Sequence, residues 1–261
     1  MIKKLLAAAF FSLSAFFCLA QKPLEIGGAY SMAAPLGSLN KNINLVHSLN
    51  GQFNYRPAKL NGTWVGLQMG VGLYASKRVP QTYVFTNGAT TNTHARFTSS
   101  TLNTHVVAGH EFFKNKTVQP YITAKTGFTS FYSSIVIEDP EDTDGCKPLD
   151  SDNLLRDISF SYGAGAGLRV DVSEWMAEPR GAWWLDISVN YTGGTPLDYI
   201  NTKKLLDHDH NSTPADGKAL NMKFINVQTG DIHEHKVAEV YTTRIDLLDI
   251  KVGLYYRFGG R

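Results

Sequence analysis

Two pairs of histidines are the residues whose types and spacing best suit chemistry. They are His208 and His210, separated by one aspartate, and His233 and His235, separated by one glutamate. Side chains alternate between faces along an extended strand, so this spacing places both imidazoles of a pair on one face. Four imidazoles are a suitable ligand set for zinc or copper. A metal site is therefore one hypothesis. Solvated loop histidines are the other, because nothing in the sequence brings the two pairs together.

A second stretch with chemical potential, residues 138–145, is strongly acidic, and Cys146 follows it. Its Asp142-Thr-Asp144-Gly segment resembles part of a calcium-binding loop. Pro140 and Ser151, however, stand where an EF-hand needs acidic residues. We therefore predict a charged surface loop, with a weak calcium contact as the alternative, and we assign no role to Cys146.

Catalytic motifs with a defined spacing are absent from the sequence. It contains no Gly-x-Ser-x-Gly nucleophile elbow, no His-Glu-x-x-His zinc motif and no phosphate-binding loop. We therefore predict a protein that is not an enzyme and has no cofactor. The alternative is an enzyme or metal site at the rim of the fold, built from the loop histidines.

The first 20 residues predict a secretory signal peptide. Two lysines precede an apolar run at residues 5–17, and small residues lead to Ala20. The run is shorter than the roughly 20 residues that a membrane-spanning helix needs. We expect cleavage after Ala20 and a mature domain at residues 21–261. The alternative is a lipoprotein signal in which Cys18 is the lipidated residue. Against it, two bulky phenylalanines precede Cys18, where such a signal requires small residues.

Charge and cysteine content argue against two classes of protein. The whole chain has 25 Lys and Arg against 23 Asp and Glu, and cleavage removes two of the lysines. The mature chain therefore has no basic excess for binding nucleic acid. Of the two cysteines, only Cys146 remains after cleavage. An exported chain with one cysteine builds no internal disulfide framework.

The elements that must position these residues are predicted to be eight β-strands. Runs rich in β-branched and aromatic residues alternate in polarity and are separated by Gly, Pro, Asn and Asp. They lie at residues 23–34, 45–57, 63–78, 97–113, 118–137, 155–172, 182–194 and 239–258.

Short and long connections alternate between these strands. The short ones are 58–62, 114–117 and 173–181, and the long ones are 35–44, 79–96, 138–154 and 195–238. In an up-and-down barrel this alternation collects every short turn at one rim, as in membrane barrels. Within the last connection, residues 224–227 and 232–237 predict a local hairpin. The predicted fold class is all-β, an eight-stranded antiparallel up-and-down transmembrane β-barrel.

One face of these strands is apolar over the length of a membrane crossing. The last strand places Ile250, Val252, Leu254, Tyr256 and Phe258 on one side, and the third, sixth and seventh strands show the same pattern. A tilted strand needs about 9–11 residues to cross the hydrocarbon layer. The opposite face is mostly Gly, Ser, Asn and Thr, with few charges. This favours a membrane barrel over the alternative, a soluble lipocalin-like ligand-binding barrel.

Eight charged residues are predicted to point into the barrel. They are four acids and four bases: Glu25, Glu111, Asp171, Asp186, Lys125, Arg169, Lys251 and Arg257. The interior of an eight-stranded barrel is only wide enough for side chains to fill. Because an unpaired buried charge is very costly, these groups should pair and plug the lumen. A gated path for ions along them is the alternative.

The overall pattern resembles a known family. A leader ending in Ala20-Gln21, the eight-strand meander and the closing Leu254-Tyr-Tyr-Arg-Phe258 are similar to the small outer-membrane β-barrels of Bacteroidetes. More distantly they resemble barrels of the OmpA, OmpX and OmpW type. The resemblance implies a Gram-negative outer membrane, contact with its lipid, and Tyr256 and Phe258 as the signal for the barrel-insertion machinery. Three residues follow Phe258 here, whereas many members of the family end on the phenylalanine.

Three functional hypotheses follow. The first is a non-enzymatic, monomeric outer-membrane barrel with a structural or surface-interaction role, whose 195–238 connection meets an extracellular ligand or protein. The second is a narrow channel for ions or small solutes. The third is a barrel with an enzyme or metal site at its rim.

Overall fold

In the part of the chain that the structure describes, the fold consists of antiparallel strands with two one-turn helices in the connections. The computed structural model describes residues 24–57, 59–84, 88–113, 116–140, 148–176, 181–203, 217–225 and 232–258. The strands are β1 (Leu24–Pro35), β2 (Val46–Tyr55), β3 (Thr63–Val84), β4 (Thr90–Glu111), β5 (Val118–Ile137), β6 (Asp150–Asp171), β7 (Gly181–Ile200), β8 (Gly217–Ile225) and β9 (Ile232–Phe258). The helices are α1 (Leu39–Asn42) and α2 (Ser173–Met176). No helix in these ranges is long and apolar enough to cross a membrane.

Eight of the strands close into a ring. Each strand from β1 to β6 pairs with the next one, and β7 pairs with β9. The ring closes where β9 pairs with β1, from Glu25 opposite Arg257 to Pro35 opposite Leu247. β8 stands outside the ring and pairs with the first part of β9. The predicted eight-stranded antiparallel up-and-down barrel is therefore confirmed.

The short connections lie together at one rim, as the alternation of lengths predicts. They join β2 to β3, β4 to β5 and β6 to β7. In the first of them Gly62 has a φ of +80°. A Cβ at this position would lie 2.5 Å from the carbonyl oxygen of Glu111. Both the backbone conformation and this close approach require glycine.

At the opposite rim the strands extend further than the sequence predicts. β3 continues to Val84 and β4 begins at Thr90, so most of the predicted 79–96 loop is a paired hairpin. The polar residues of this hairpin, such as His94 and Arg96, interrupt the alternation that marks a lipid-facing strand. The backbone pairing nevertheless continues, because a strand beyond the membrane needs no apolar outer face.

The same correction applies to the two later connections. β6 begins at Asp150 and β7 ends at Ile200, several residues beyond the predicted strand ends. The predicted hairpin in the 195–238 connection is present, with Ile225 opposite Ile232, and its first strand begins earlier than predicted, at Gly217.

An apolar band surrounds the outside of the ring. Its large side chains point away from the barrel and are exposed, for example Leu49 at 67% and Phe128 at 59%. The band includes Ile26, Tyr30, Met32, Leu49, Phe53, Val65, Leu67, Met69, Val71, Leu73, Leu102, Val106, Ile122, Phe128, Ile158, Phe160, Tyr162, Leu168, Ile187, Val189, Tyr191, Leu248, Ile250 and Val252. Soluble monomers rarely expose apolar patches larger than a few hundred Å². The band is therefore the membrane-facing surface, and it has the opposite polarity to a lipocalin-like exterior.

Above this band, toward the long connections, the polarity of the barrel is inverted. Apolar side chains there point inward and form a buried cluster, which we call the apolar plug. It consists of Ala33, Leu39, Ile43, Val46, Tyr74, Phe131, Leu197, Tyr199, Ile245 and Leu247. The outward positions of the same strands are polar, as at Ser76, Arg78 and Arg96. The extramembrane part is therefore built like a soluble β-barrel.

Irregular pairing accompanies this inversion. On β3 the register shifts between Leu73, which faces outward, and Ala75, which pairs with the inward-facing Ser99. On β7 a shift between Gly193 and Pro196 likewise lets Leu197 point inward. An extra residue in one strand exchanges its two faces, because side chains alternate with a period of two.

Helix α1 closes the mouth of the barrel. Leu39 and the adjoining Ile43 are fully buried in the apolar plug. Asn42 Nδ2 donates a hydrogen bond to Tyr199 Oη at 2.9 Å, and the Thr202 backbone N–H donates to the Asn42 carbonyl oxygen at 2.9 Å. The first long connection is thereby attached to the segment after β7 and lies over the lumen.

An arginine in the middle of the apolar band tests its contact with lipid. Met69→Arg should lower the free energy of unfolding by about 2–4 kcal/mol, the cost of arginine at the midplane of a membrane barrel. The measurement is urea unfolding in lipid vesicles, followed by tryptophan fluorescence. Asn153→Arg, at an exposed position of β6 beyond the band, is the control and should change stability by less than roughly 0.5 kcal/mol. Small effects of both substitutions would contradict a membrane-facing band.

Candidate functional site

Six charged side chains meet inside the ring near the rim of short turns, and we call this group the ionic layer. Alternation points each of them inward, and each comes from a strand or the residue just after one. The group consists of Glu25, Arg56, Glu111, Arg169, Asp186 and Arg257. It contains three carboxylates and three guanidinium groups, so its net charge is zero.

Arg169 lies at the centre of the ionic layer. Its Nη1 is 3.0 Å from Glu25 Oε1 and 2.9 Å from Glu111 Oε1, and its Nε is 3.1 Å from Asp186 Oδ2. The side chains of all four residues are at most 2% exposed. In such surroundings water does not screen the charges, so each one depends on its partners.

Aromatic rings enclose the Arg169 guanidinium group on its remaining sides. Its central carbon lies 5.0 Å from the ring centroids of Trp64 and Tyr121 and 5.2 Å from that of Tyr255. These distances suit cation–π attraction, which is stronger for a desolvated cation. Tyr121 also donates a hydrogen bond from Oη to Asp186 Oδ1 at 2.9 Å. The rings therefore both hold Arg169 and exclude water from it.

Two further arginines complete the layer. Arg56 Nη1 donates to Glu111 Oε2 at 2.7 Å, and Arg56 Nε donates to Glu25 Oε2 at 3.2 Å. Arg257 donates from Nη2 to both Glu25 Oε2 and Glu111 Oε1 at 3.2 Å. Asn54 Nδ2 donates to the other oxygen of Glu25 at 2.7 Å. Both glutamates thus have charged or amide donors on each oxygen.

The ionic layer also joins the first and last strands of the ring. Glu25 on β1 and Arg257 on β9 are directly opposite each other in the pairing that closes the ring. The Arg257 guanidinium carbon lies 4.6 Å from the ring centroid of Trp184 on β7. Chemically, the layer can neutralise, order and seal the lumen at this rim.

Five of the eight predicted lumen charges lie in this layer, namely Glu25, Glu111, Arg169, Asp186 and Arg257. Lys125 and Lys251 lie further along the lumen, in the region of Asp249. Asp171 lies at the rim, where its Oδ1 accepts hydrogen bonds from the Ser173 backbone N–H at 2.9 Å and from Ser173 Oγ at 2.5 Å.

Among the described residues, Arg56 and Asp249 are buried in the lumen but do not belong to the eight predicted lumen charges. The signal for Asp249 was alternation in the last strand, where it shares a face with Lys251. Arg56 continues the inward series of Ser48, Asn50, Gln52 and Asn54 on β2. Assigning faces to that strand would have found it.

Only two of the four histidines of the predicted metal site lie in the described part of the chain. His208 and His210 lie outside the described residues, and His233 and His235 lie on β9 opposite Phe224 and Met222. Within the described ranges, no group of three or more His, Cys, Asp or Glu residues could hold a metal ion. The metal site stays a hypothesis.

The two aromatic residues proposed as an insertion signal lie together at the end of β9. The ring centroids of Tyr256 and Phe258 are 4.8 Å apart, with the rings edge to face. Trp183 of the neighbouring strand lies 4.9 Å from Tyr256. Their recognition by the insertion machinery remains a prediction.

The start of the acidic 138–145 stretch pairs with arginines outside the membrane. Arg78 and Arg96 are directly opposite each other on β3 and β4. Glu138 lies between them. Its Oε2 is 2.5 Å from Arg78 Nη2, and its Oε1 is 2.6 Å from Arg96 Nη2. Desolvation raises the pKa of Glu138, but the hydrogen bonds and charges of the two arginines outweigh it and lower that pKa below the ordinary value. Residues 141–145 of the stretch and Cys146 lie outside the described residues.

Comparisons with known proteins reach solved structures only. The chain is similar to neisserial surface protein A, with 12% identity, 91% of this chain and 96% of that chain covered, and a TM-score of 0.37. It is similar to Ail, the attachment invasion locus protein of Yersinia pestis in complex with the heparin analogue sucrose octasulfate, with 16% identity, coverage of 91% and 97%, and a TM-score of 0.34. The translocator domain of the autotransporter NalP from Neisseria meningitidis matches with 8% identity, coverage of 97% and 97%, and a TM-score of 0.22. No protein-family model and no curated protein matches the chain.

Removing Arg169 tests whether the ionic layer holds the barrel together. Arg169→Leu leaves three buried carboxylates short of a partner, and breaking a buried ion pair costs about 3–5 kcal/mol. We expect that loss in urea unfolding from vesicles, read from the gel mobility of unboiled samples. Arg96→Leu is the control, because its exposed ion pair contributes about 0–1 kcal/mol. Equal effects of the two substitutions would argue against a stabilising ionic layer.

The pairing of Glu138 predicts a pH dependence outside the membrane. Because its pKa is lowered in the folded chain, the pairing stabilises the fold above the pKa of the unfolded chain. That stabilisation is lost as the pH falls through the folded pKa. Carboxyl-carbon NMR titration should give Glu138 a midpoint below the ordinary glutamate value of about 4.3. Exchanging both Arg78 and Arg96 for glutamine should raise the midpoint, and an unchanged midpoint would refute the assignment.

Proposed function

We propose that the chain is a non-enzymatic barrel of a Gram-negative outer membrane, with a structural or surface-interaction role. Its closed interior stabilises the fold, and its extramembrane strands and loops meet an extracellular ligand or protein. The observation that carries the proposal is the closure of the lumen at two levels, by the ionic layer at one rim and by the apolar plug at the other.

The two closures differ in chemistry. At the rim of short turns, Glu25 and Arg169 are at most 1% exposed, so water has no access to the centre of the ionic layer. At the other end, Phe131, Tyr199 and Ile43 are completely buried across the mouth of the barrel. An apolar barrier and a network of paired charges both oppose the passage of a hydrated ion. The arrangement therefore supports a structural interior over a transport path.

The long extramembrane hairpins support a role at the cell surface. In barrels of this kind the short turns face the periplasm and the long connections face outward. The β3–β4 hairpin carries exposed arginines on its outer side, with Arg78 and Arg96 more than half exposed. Together with the 195–238 connection, this hairpin offers a polar surface to an extracellular partner.

Export and assembly belong to the same proposal. Residues 1–20 would direct the chain through the inner membrane, and Tyr256 and Phe258 would present it to the insertion machinery. The closed ring satisfies its own backbone hydrogen bonds in lipid, which supports a monomer in the membrane.

A narrow channel is the second candidate, because the middle of the lumen is polar. Ser31, Asn50, Lys125 and Asp249 line a cavity there. Conduction would require both the apolar plug and the ionic layer to open. No enzyme or bound cofactor is part of either proposal.

Planar-bilayer recording distinguishes these candidates. We expect the purified, folded protein to give no conductance steps, because both ends of the lumen are closed. Folding is verified first by the change in gel mobility on boiling, and a porin reconstituted in parallel shows that the bilayer responds. Conductance steps from the wild-type protein would overturn the closed interior if Arg169→Leu or a change in α1 altered them. That result would favour the channel.

A further inference from the structure

A polar cavity lies in the lumen between the ionic layer and the apolar plug. Its volume is about 40 Å³. Polar residues of seven ring strands line it, and Ala33, Val46 and Leu247 of the apolar plug form its upper wall. It is separate from the ionic layer, since none of the six charged residues of that layer contributes to its wall.

Three residues of the cavity wall each have a buried polar atom without a hydrogen-bond partner in the described part of the chain. These atoms are Asn103 Oδ1, His105 Nδ1 and Asp249 Oδ1. His105 is 2% exposed and Asp249 is 9% exposed. The other nitrogen of His105, Nε2, bonds to Ser161 Oγ at 2.8 Å. Buried polar groups are nearly always hydrogen-bonded, so three such atoms at one cavity point to an occupant.

The chemistry of the wall selects that occupant. Asn103 Oδ1 and the Asp249 carboxylate only accept hydrogen bonds, so the occupant must donate. Lys125 also lines the wall, and its ammonium group only donates, so an occupant that meets this group must accept. A metal cation cannot accept from Lys125, and a chloride ion cannot donate to Asp249. Water does both.

We propose that this cavity is a binding site for ordered water, which bridges Asn103, His105 and Asp249 and solvates Lys125. Each water needs roughly 10–15 Å³ of such volume, so the cavity holds about three. The inference rests on the proposed closed lumen, because the apolar plug and the ionic layer keep these waters from exchanging freely along the barrel.

The sign of a stability change tests the proposal. Ala33→Val adds two methyl groups at the cavity wall and displaces water from the unpaired atoms, which should lower the midpoint of the heat-induced mobility shift by several degrees. A dry cavity predicts the opposite, because filling an empty space stabilises a protein. Ala34→Val is the matched control, with the same change at the neighbouring outward-facing position of β1.

A high-resolution crystal structure of the wild-type protein is the second measurement, and it serves also if Ala33→Val does not fold. Water at hydrogen-bonding distance from Asn103, His105 and Asp249 is the expected result. Stabilisation by Ala33→Val, an unfilled cavity, or an ion coordinated by Asp249 would overturn the proposal. Conductance with ordered water in place would refute the closed lumen alone, so the two failures are distinguishable.

Discussion

The pairing of β1 with β9 is the constraint on which the rest of the structure depends. Hydrocarbon offers no partner to a backbone N–H or C=O group, so a sheet with open edges is not viable there. The pairing from Glu25–Arg257 to Pro35–Leu247 removes both edges. Because the seam joins the two ends of the described chain, the barrel is complete only when all eight ring strands are in register. The Glu25–Arg257 ion pair inside the seam makes that register specific.

Inside the membrane, the closed barrel must have an apolar outer face and a polar interior. Outside the membrane, this arrangement is reversed. Within the membrane the outer face has to be apolar, which leaves the narrow interior for small, polar and paired charged residues. Above it, water reaches the outer face and the apolar residues turn inward. The two arrangements meet on single strands, as on β5, where Phe128 is 59% exposed and Phe131 is completely buried. The interior plug is thus a consequence of strands that are longer than the membrane is thick.

Sequence reasoning predicted the membrane part of this fold well and the extramembrane part poorly. Alternation is strong where one face meets lipid, so the strand positions and lipid-facing residues such as Ile250 and Val252 were found. The third, sixth, seventh and last predicted strands were each given a single apolar face. The apolar residues of β5 change from even to odd positions between Phe128 and Phe131, and that change of phase marks the membrane boundary. The β3–β4 hairpin was predicted as a loop because its outward-facing residues are polar, so it lacks the apolar outer face of a membrane strand.

The candidate site was predictable by residue type and face but not by partner. Alternation alone placed Glu25, Arg169 and Asp186 in the lumen, and charge balance implied that they pair. Which groups meet depends on strand stagger around the ring, which local sequence does not encode. That stagger separates Lys125 from the ionic layer and leaves it beside Asp249, at a level of the lumen where Asn103, His105 and Asp249 each keep a buried atom without a partner. Equal numbers of acidic and basic residues therefore predict a neutral interior. The position of each charge along the barrel axis decides whether protein or water completes its hydrogen bonds.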